Sequence, residues 1–300
     1  MLRLLGVVIL LLLVVTAAVF ASPTTNRYDV ITTELKGLEA AHSTIAQIFS
    51  IGKNNEGVDI LALRVSVTPQ QIDPKKVGHL LVATHHGNEP HAALFAIAFI
   101  RDLIKRFESD ELWTSYLPQS EWTIIPVLNI SGYNEDVREE YDIDPNRDYP
   151  NPCLPQESVG KLASVQRLME LFDTRTFSGS ITVHGYLKSL SYPWGTFATS
   201  DKTLDHSEYD RIFAKAARFN GYPYGTGTSV VYSANGCFED WVYWRHGAWS
   251  MLIELDSGSP SDIKKTVRAV ASYFDDLSSS PSNQHEFSAT CTEGEGIAIE

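Results

Sequence analysis

The chain has 300 residues, of which 43% are hydrophobic, and a formal net charge of −13. A chain of this length and composition can bury the core of one sizeable α/β domain. The acidic balance argues against nucleic acid and against an anionic membrane surface as partners, because both carry negative charge.

Residues 1–21 have the pattern of a secretory signal peptide. Arg3 precedes an almost wholly apolar run over residues 4–20, and Val19 and Ala21 stand where a cleavage site requires small residues. We therefore expect cleavage after Ala21, secretion of the remaining chain and no stable membrane association afterwards. The alternative is an uncleaved anchor, but the run is slightly shorter than the roughly 20 apolar residues of a spanning helix.

Apolar runs of strand length alternate with segments of helical periodicity along residues 27–277. This alternation predicts one α/β domain over residues 22–277, with a mixed, mostly parallel central sheet and helices on both faces. Residues 278–284 are polar and residues 285–300 lack a helical pattern, so residues 278–300 predict a flexible tail. The predicted strands cover residues 61–67, 79–84, 122–127, 180–183 and 249–255, and the predicted helices cover residues 90–107, 158–172, 204–219 and 261–277.

Three residues near predicted strand ends have the chemistry of metal ligands. His86 and Glu89 lie three residues apart between a strand and a helix, and His184 ends an apolar strand. Two imidazoles and one carboxylate form the ligand set of a catalytic zinc with one open position. By itself, a spacing such as that of His86 and Glu89 is usually an accidental match. A histidine such as His184, at the end of an apolar strand, is usually a hydrogen-bonded core residue. His85 alternates to the opposite face from His86, which favours a role in the core or behind the ligands.

Two acids stand near these histidines. Glu254 lies within an apolar strand, and a buried carboxylate is costly unless it is paired or placed at a metal. We favour a functional role over a solvent-facing position. Asp144 is a candidate to accept the second ring N–H of His86, as carboxylates beside zinc ligands usually do.

Three cysteines remain after residue 21, which permits one disulfide and leaves one thiol. Cys153 and Cys237 lie close to the polar motifs described below, so we expect them to pair, with Cys291 free. A cysteine zinc site is not expected, because no two cysteines have the close spacing that such sites use.

Six motifs in order along residues 28–277 resemble the zinc metallocarboxypeptidase family, peptidase M14, of the carboxypeptidase A and B type. Asn88 stands where digestive members have Arg, so the motif around it is more similar to the regulatory branch. The motifs are Ile51-Gly52-Lys53-Asn54-Asn55-Glu56-Gly57-Val58-Asp59-Ile60, His86-Gly87-Asn88-Glu89, Asp144-Pro145-Asn146-Arg147, His184-Gly185-Tyr186 with Tyr192-Pro193-Trp194-Gly195, Tyr232-Ser233-Ala234-Asn235-Gly236 running into Glu239-Asp240-Trp241, and Ile253-Glu254-Leu255.

The resemblance implies a role for each matching residue. One zinc ion per chain would be bound by His86, Glu89 and His184. Glu254 would act as general base and then proton donor, while Arg138 would polarise the scissile carbonyl. The substrate's free C-terminal carboxylate would be held by Asn146, Arg147 and Tyr232. The expected partners are therefore the C-termini of peptides or proteins.

Glu239 occupies a place where some family members carry a residue that selects the terminal side chain. An acid there would favour C-terminal Lys or Arg. The alternative is that Glu239 points elsewhere and the preference is hydrophobic or broad. Rival functions are a cell-wall peptide hydrolase, a deacylase of small amides, or an inactive secreted binding protein on the same fold.

Overall fold

Eight strands form one mixed sheet in the computed structural model, which describes residues 26–109, 117–277 and 279–293. The strands are β1 Ala46–Lys53, β2 Asp59–Val65, β3 Val77–Ala83, β4 Ser120–Ile125, β5 Gly179–Gly185, β6 Ser189–Tyr192, β7 Tyr224–Thr226 and β8 Trp249–Leu255. They lie in the order β1-β2-β4-β3-β5-β8-β6-β7. The central strands β4, β3, β5 and β8 are parallel, and β2 and β6 join them in antiparallel fashion.

Helices cover both faces of this sheet. The helices are α1 Arg27–Ala41, α2 Pro90–Ser109, α3 Ile130–Glu135, α4 Ala163–Thr174, α5 His206–Asn220, α6 Gly227–Val230, α7 Phe238–His246 and α8 Pro260–Asp276. One layer contains α2, α5 and α8, and the other contains α4 and α7, which pack against β1, β5 and β8. Parallel strands covered on both sides are buried along their whole length, as β8 is, and therefore appear as continuous apolar runs in the sequence.

Local sequence signals explain where several helices begin and end. The Ser259 side chain accepts a hydrogen bond from the Asp262 N–H, and Pro260 occupies the first turn of α8. Gly221 and Gly247 end α5 and α7 in the left-handed conformation that glycine adopts without steric cost.

The predicted fold class is confirmed, and all five predicted strands and all four predicted helices are present. The strand over residues 249–255 has the predicted ends, and the other elements have ends that are shifted by a few residues. The predicted helix over residues 158–172 begins later, at Ala163, after a short 3₁₀ turn at Gln156–Ser158. The signal peptide predicted over residues 1–21 lies outside the described residues. Among the residues that are described, no helix has both the length and the apolar character that a membrane span requires.

The expected cysteine pairing is wrong. Cys153 is bonded to Cys291, and Cys237 is a buried free thiol. The reason is the path of the last described segment, which places Cys291 opposite Ala198 in an isolated bridge. Cys237 instead precedes α7.

The segment predicted to be a flexible tail packs against the domain over residues 279–293. The Ser282 hydroxyl donates to Asp205, and the Phe287 ring lies edge-on to Trp194 with ring centroids 5.2 Å apart. The disulfide at Cys291 adds a covalent attachment. These contacts hold the segment beside α7 and the loop that follows β6.

Candidate metal centre and substrate cleft

The carboxyl ends of the central parallel strands bring the predicted site residues together. His86 and Glu89 lie in the loop between β3 and α2, as the sequence predicts. His184 and Glu254 are direct register partners on β5 and β8. The loop after β3 passes so close to α3 that a Cβ on Gly87 would lie 1.9 Å from the backbone of Gly132, so only glycine fits there.

His86, Glu89 and His184 converge on one point. The Glu89 carboxylate lies 2.8 Å from His86 Nδ1 through one oxygen and 3.0 Å from His184 Nδ1 through the other. The two Nδ1 atoms are 3.1 Å apart, and the candidate ligand atoms all lie within 4.8 Å of one another. Two imidazole nitrogens and a carboxylate in this arrangement suit Zn²⁺, so the donor set fits the metal that the resemblance implies.

The ionisable groups of the cluster shift one another's pKa values. Burial alone would raise the pKa of Glu89, but the facing imidazoles outweigh that effect and hold the pKa at about 2. Burial would lower the pKa of His86, but Glu89 and Asp144 raise it to about 9. The cluster therefore has a strong attraction for positive charge at its centre.

Asp144 joins the metal cluster to Arg138. One carboxylate oxygen lies 3.0 Å from His86 Nε2, as predicted for an acid behind a zinc ligand. The other oxygen accepts two hydrogen bonds from the Arg138 guanidinium, at 2.8 and 3.1 Å. Arg138 Nη1 lies 3.2 Å from His86 Nδ1. Asp144 thus fixes the orientation of His86 and holds Arg138 at the cluster.

A buried chain of hydrogen bonds lies behind His184. Its Nε2 is 3.0 Å from the Thr182 hydroxyl, which is 3.0 Å from His85 Nδ1, and His85 Nε2 is 2.9 Å from the Tyr149 hydroxyl. If His184 Nδ1 accepts a cation, its Nε2 must carry the proton and donate to Thr182. Thr182 then donates to His85, which donates to Tyr149. The chain is therefore compatible with the tautomer of His184 that leaves Nδ1 free as a ligand.

Glu254 is buried, with 7% of its surface exposed, and within the described part of the chain its Oε2 atom has no hydrogen-bond partner. Burial, reinforced by the charge of Glu89, raises the pKa of Glu254 to about 8. A carboxylate with an open oxygen and an elevated pKa beside a cation site can accept and return a proton near neutral pH.

A cleft beside the cluster is lined by seven of the nine predicted site residues, and the other two, Glu89 and Arg138, contact His86. Arg147 donates to the Tyr232 hydroxyl at 3.1 Å and lies 3.5 Å from the Cys237 sulfur. The Asn146 amide oxygen accepts from the Phe238 N–H at 2.8 Å, which ties it to the start of α7. The seven lining residues are His86, Asn146, Arg147, His184, Tyr232, Glu239 and Glu254.

Glu239 lies in the first turn of α7 and faces this cleft. It is 5% exposed, and no described residue offers a hydrogen-bond partner to its Oε2 atom. Burial raises its pKa, against the opposing effect of Arg147. An open carboxylate oxygen in the wall of a cleft is an acceptor for a cationic group of a ligand.

Thr182, Tyr149 and Cys237 received no role in this site from the sequence. A signal for Thr182 was present, because it stands two residues before His184 and therefore faces the same side of β5. Cys237 was expected close to the site motifs, but its contact with Arg147 depends on the turn at Gly236. A Cβ on Gly236 would lie 2.3 Å from the Arg147 carbonyl oxygen, so this approach requires glycine.

The sequence profile of the family described as Zinc carboxypeptidase matches residues 31–272. The chain is 23% identical over 234 residues to Carboxypeptidase SOL1 of Arabidopsis thaliana, covering 71% of this chain and 46% of that protein. It is 22% identical over 268 residues to Carboxypeptidase B of Homo sapiens, covering 78% and 63% respectively. The chain thus spans less than two thirds of the length of these relatives.

The fold is similar to that of solved carboxypeptidases. The crystal structure of carboxypeptidase A from Helicoverpa armigera superimposes with a TM-score of 0.66 at 18% sequence identity. The match covers 84% of this chain and 73% of the other. At this identity the likeness establishes the shared architecture.

Proposed function

Because the chain belongs to the zinc carboxypeptidase family, we propose that it is a secreted zinc-dependent exopeptidase that removes C-terminal residues, with a preference for Lys and Arg. The observation that carries the proposal is the convergence of His86, Glu89 and His184 beside Glu254 at one edge of the sheet. Two imidazoles and one carboxylate form the ligand set of a catalytic zinc, and Glu254 beside them is an acid that can transfer a proton.

One metal ion per chain is expected, held by His86 Nδ1, His184 Nδ1 and Glu89. Zinc bound there supplies a Lewis acid and lowers the pKa of water to about 7. Asp144 supports this site by accepting from His86 Nε2, and Thr182 supports it by accepting from His184 Nε2. Both contacts fix the ligand tautomers, which is the role that carboxylates and hydroxyls behind metal ligands usually have.

Glu254 moves the proton. Its free Oε2 takes a proton from the attacking water and returns it to the leaving amine. Arg138 stabilises the negative charge that develops on the carbonyl oxygen, with Asp144 holding its guanidinium by two hydrogen bonds. Such charge stabilisation by preorganised donors is usually the largest single contribution to catalysis.

Arg147, Asn146 and Tyr232 bind the free carboxylate at the end of the substrate. The guanidinium of Arg147 is a planar fork that matches both carboxylate oxygens, and it lies in hydrogen-bond contact with the Tyr232 hydroxyl. A cationic group at a fixed distance from the metal cluster places the last peptide bond, rather than an internal one, at the reacting position. This arrangement supports exopeptidase over endopeptidase activity.

Glu239 supports a preference for basic residues. Its open Oε2 atom lies in the wall of the cleft that carries the carboxylate-binding group. Arg147 acts on the charge of Glu239, but a substrate ammonium or guanidinium would supply the partner that Oε2 lacks among the described residues. An apolar terminal side chain would leave this oxygen unpaired.

The test is a panel of peptides that differ only in the last residue, analysed by mass spectrometry with and without a zinc chelator. We expect stepwise loss of the C-terminal residue, abolished by chelator and restored by zinc, and faster for Lys and Arg than for Leu or Phe. Glu239→Gln should reduce the kcat/KM ratio of Lys to Leu substrates by about ten-fold or more, as a charged hydrogen bond of about 1.5–3 kcal/mol implies.

Controls in the same panel separate the rival functions. Peptides with an amidated C-terminus should resist cleavage, because they lack the carboxylate that Arg147 binds. Cleavage of amidated peptides or of small acylated amides at comparable rates would favour a deacylase, and cleavage confined to cell-wall peptides would favour that substrate class. Absence of any turnover, with or without zinc, would favour an inactive binding protein.

Secretion is supported by two independent features. The first is the apolar run over residues 4–20 with its small-residue site at Ala21. The second is the Cys153–Cys291 disulfide, which is typical of an oxidising compartment. Expression of the full chain in a eukaryotic host should yield protein in the medium whose N-terminus begins at Ser22, and retention in the membrane fraction would contradict this.

A further inference from the structure

A cavity of about 320 Å³ lies at the opposite edge of the sheet from the metal cluster. Its walls come from the segment leading into β3, the turn between α4 and β5, and the described start of the C-terminal segment. β5 has seven residues, so its two ends are roughly 20 Å apart. The side chains lining the cavity that carry a full charge are Lys75, Lys76 and Arg175.

Buried positive charge at this edge exceeds buried negative charge. Arg64 and Arg175 both pair with one carboxylate, that of Glu121, which is fully buried. Lys76 is also buried, but its ammonium donates to two neutral hydroxyls, those of Ser66 at 2.8 Å and Thr68 at 2.7 Å. Buried charges are normally paired, because an unpaired one loses its hydration without compensation.

Donors remain open in this group. Arg175 is 7% exposed, and its buried Nε atom has no hydrogen-bond partner among the described residues. An ammonium has three N–H donors, and two of those on Lys76 are accounted for by the hydroxyl contacts. Asp73 lies close enough to act on the Arg175 charge, but it is half-buried and accepts the backbone N–H of Lys75. One partly hydrated acid does not balance these cations.

The backbone at this point is shaped to admit the guanidinium. A Cβ on Gly78 would lie 2.4 Å from Arg175 Nη2, so glycine leaves the space that the side chain occupies. The Arg175 Cζ also lies 5.1 Å from the centroid of the Phe177 ring, which supports the guanidinium from one side. The position of this cation is therefore fixed by packing before any ligand arrives.

We propose that this cavity is an anion-binding site that takes a small tetrahedral oxyanion, sulfate or phosphate, between Lys75, Lys76 and Arg175. The ligand would accept from the open ammonium and guanidinium donors and neutralise the excess positive charge of the cluster. Because the chain as a whole carries a charge of −13, long-range attraction does not favour anions. Binding at this cavity therefore depends on the local donors.

Isothermal titration of the full chain with sodium sulfate and, separately, with sodium phosphate at constant ionic strength tests the site. We expect saturable binding to the wild-type protein. Lys76→Met, which removes the buried ammonium, should weaken binding at least ten-fold, and Lys75→Gln, at an exposed position, about three-fold. Lys265→Gln, an exposed lysine of α8 outside the cavity lining, should bind as the wild type does.

Thermal unfolding separates site binding from the general stabilising effect of sulfate, which grows with concentration and is independent of sequence. The wild-type midpoint should rise and saturate at the concentrations where titration shows binding, whereas the Lys75→Gln midpoint should shift to higher concentration. Lys75→Gln keeps the test valid if Lys76→Met fails to fold. Absence of saturable binding to the wild type, or equal affinity in Lys75→Gln and Lys265→Gln, would overturn the proposal.

Discussion

The two ends of the central parallel strands carry buried charge of opposite kinds. At the carboxyl ends, Glu89 and Asp144 surround two histidines, and the donor atoms converge on a point that attracts a cation. At the amino ends, two arginines share the carboxylate of Glu121 and a buried lysine donates to two neutral hydroxyls, so buried cations outnumber buried carboxylates. Each cluster is incomplete within the described protein, and the sign of its excess charge indicates the ligand that would complete it.

Residues at the two ends of the strands also differ in the property that they affect, which is catalysis at one end and stability of the fold at the other. Glu254 and Glu239 line the cleft, and each has one carboxylate oxygen without a hydrogen-bond partner among the described residues. Glu121 lies under the sheet edge with its charge committed to two guanidiniums. We therefore expect substitutions at the carboxyl edge to change turnover and those at the amino edge to change the free energy of unfolding.

The largest expected effect is on turnover at the carboxyl edge. Glu254→Gln removes the proton carrier and should lower kcat by about 10³- to 10⁴-fold, the upper part of the range for general acid–base catalysis. Zinc content, measured by mass spectrometry of the purified protein, should not change, because Glu254 is not among the three clustered ligand residues. Asp256→Asn, which changes an exposed acid just beyond β8, should keep a near-normal rate. A near-normal rate in Glu254→Gln would remove that residue from the mechanism.

At the amino edge, Glu121→Gln should destabilise the fold by about 3 kcal/mol. The substitution leaves Arg64 and Arg175 buried without a counter-charge, which is the costly way to break a buried ion pair. Urea unfolding measures the loss. Glu170→Gln, which breaks a surface pair with Arg167, should cost below about 1 kcal/mol. Equal losses in the two variants would show that the amino-edge cluster is not effectively buried, and a large drop in kcat of folded Glu121→Gln would contradict the separation of the two edges.

The sequence predicts the carboxyl edge well because its signals are local. The β3 loop holds His86 and Glu89 three residues apart, and β5 and β8 each contain one titratable side chain, His184 and Glu254. The family prediction from these motifs is confirmed by the profile match over residues 31–272. The roles of the individual residues stay predictions, which the variants described here address.

The amino edge could not be predicted in the same way, because its members are single charges in unrelated segments. Arg64 lies in β2 and Glu121 lies in β4, which are distant in sequence and become neighbours only when the sheet forms. Arg175 follows α4. The Cys153–Cys291 pairing was missed for a similar reason, since it joins residues 138 apart through the path of the C-terminal segment. Charged residues inside apolar strands are the signal that could have indicated the cluster.

A smaller effect is expected from the hydrogen-bond chain behind the metal cluster. Thr182→Val removes the hydroxyl that joins His184 to His85 with little change of shape. The tautomer of His184 is then no longer fixed, so zinc affinity should fall by about 10- to 100-fold, as for other groups behind metal ligands. Competition with a chromogenic chelator measures the affinity. Ser180→Ala removes a hydroxyl from the same strand and should leave zinc affinity unchanged. An unchanged affinity in Thr182→Val would show that the chain does not orient the ligand.

The smallest expected effect concerns Glu140, a fully buried acid that forms no ion pair and joins no metal cluster among the described residues. Its carboxylate accepts from the Ser164 hydroxyl, one oxygen has no partner in the same part of the chain, and burial raises its pKa from 4.5 to about 7. The folded protein therefore holds a proton on Glu140 between pH 4.5 and 7 that the unfolded chain releases, and stability should fall as pH rises through this window.

Glu140→Gln should remove this pH dependence. The two pKa values imply up to about 3 kcal/mol by linkage, and we expect a gain of about 1 to 2 kcal/mol at pH 8 because the Gln amide lacks an acceptor. At pH 5 the variant and wild type should differ little, since the wild-type carboxyl is already neutral. Urea unfolding at both pH values measures the difference, and Glu139→Gln, at the exposed neighbouring position, should show none. A Glu140→Gln variant that is less stable than the wild type at pH 8 would mean that Glu140, like Glu121, has a cation partner in solution.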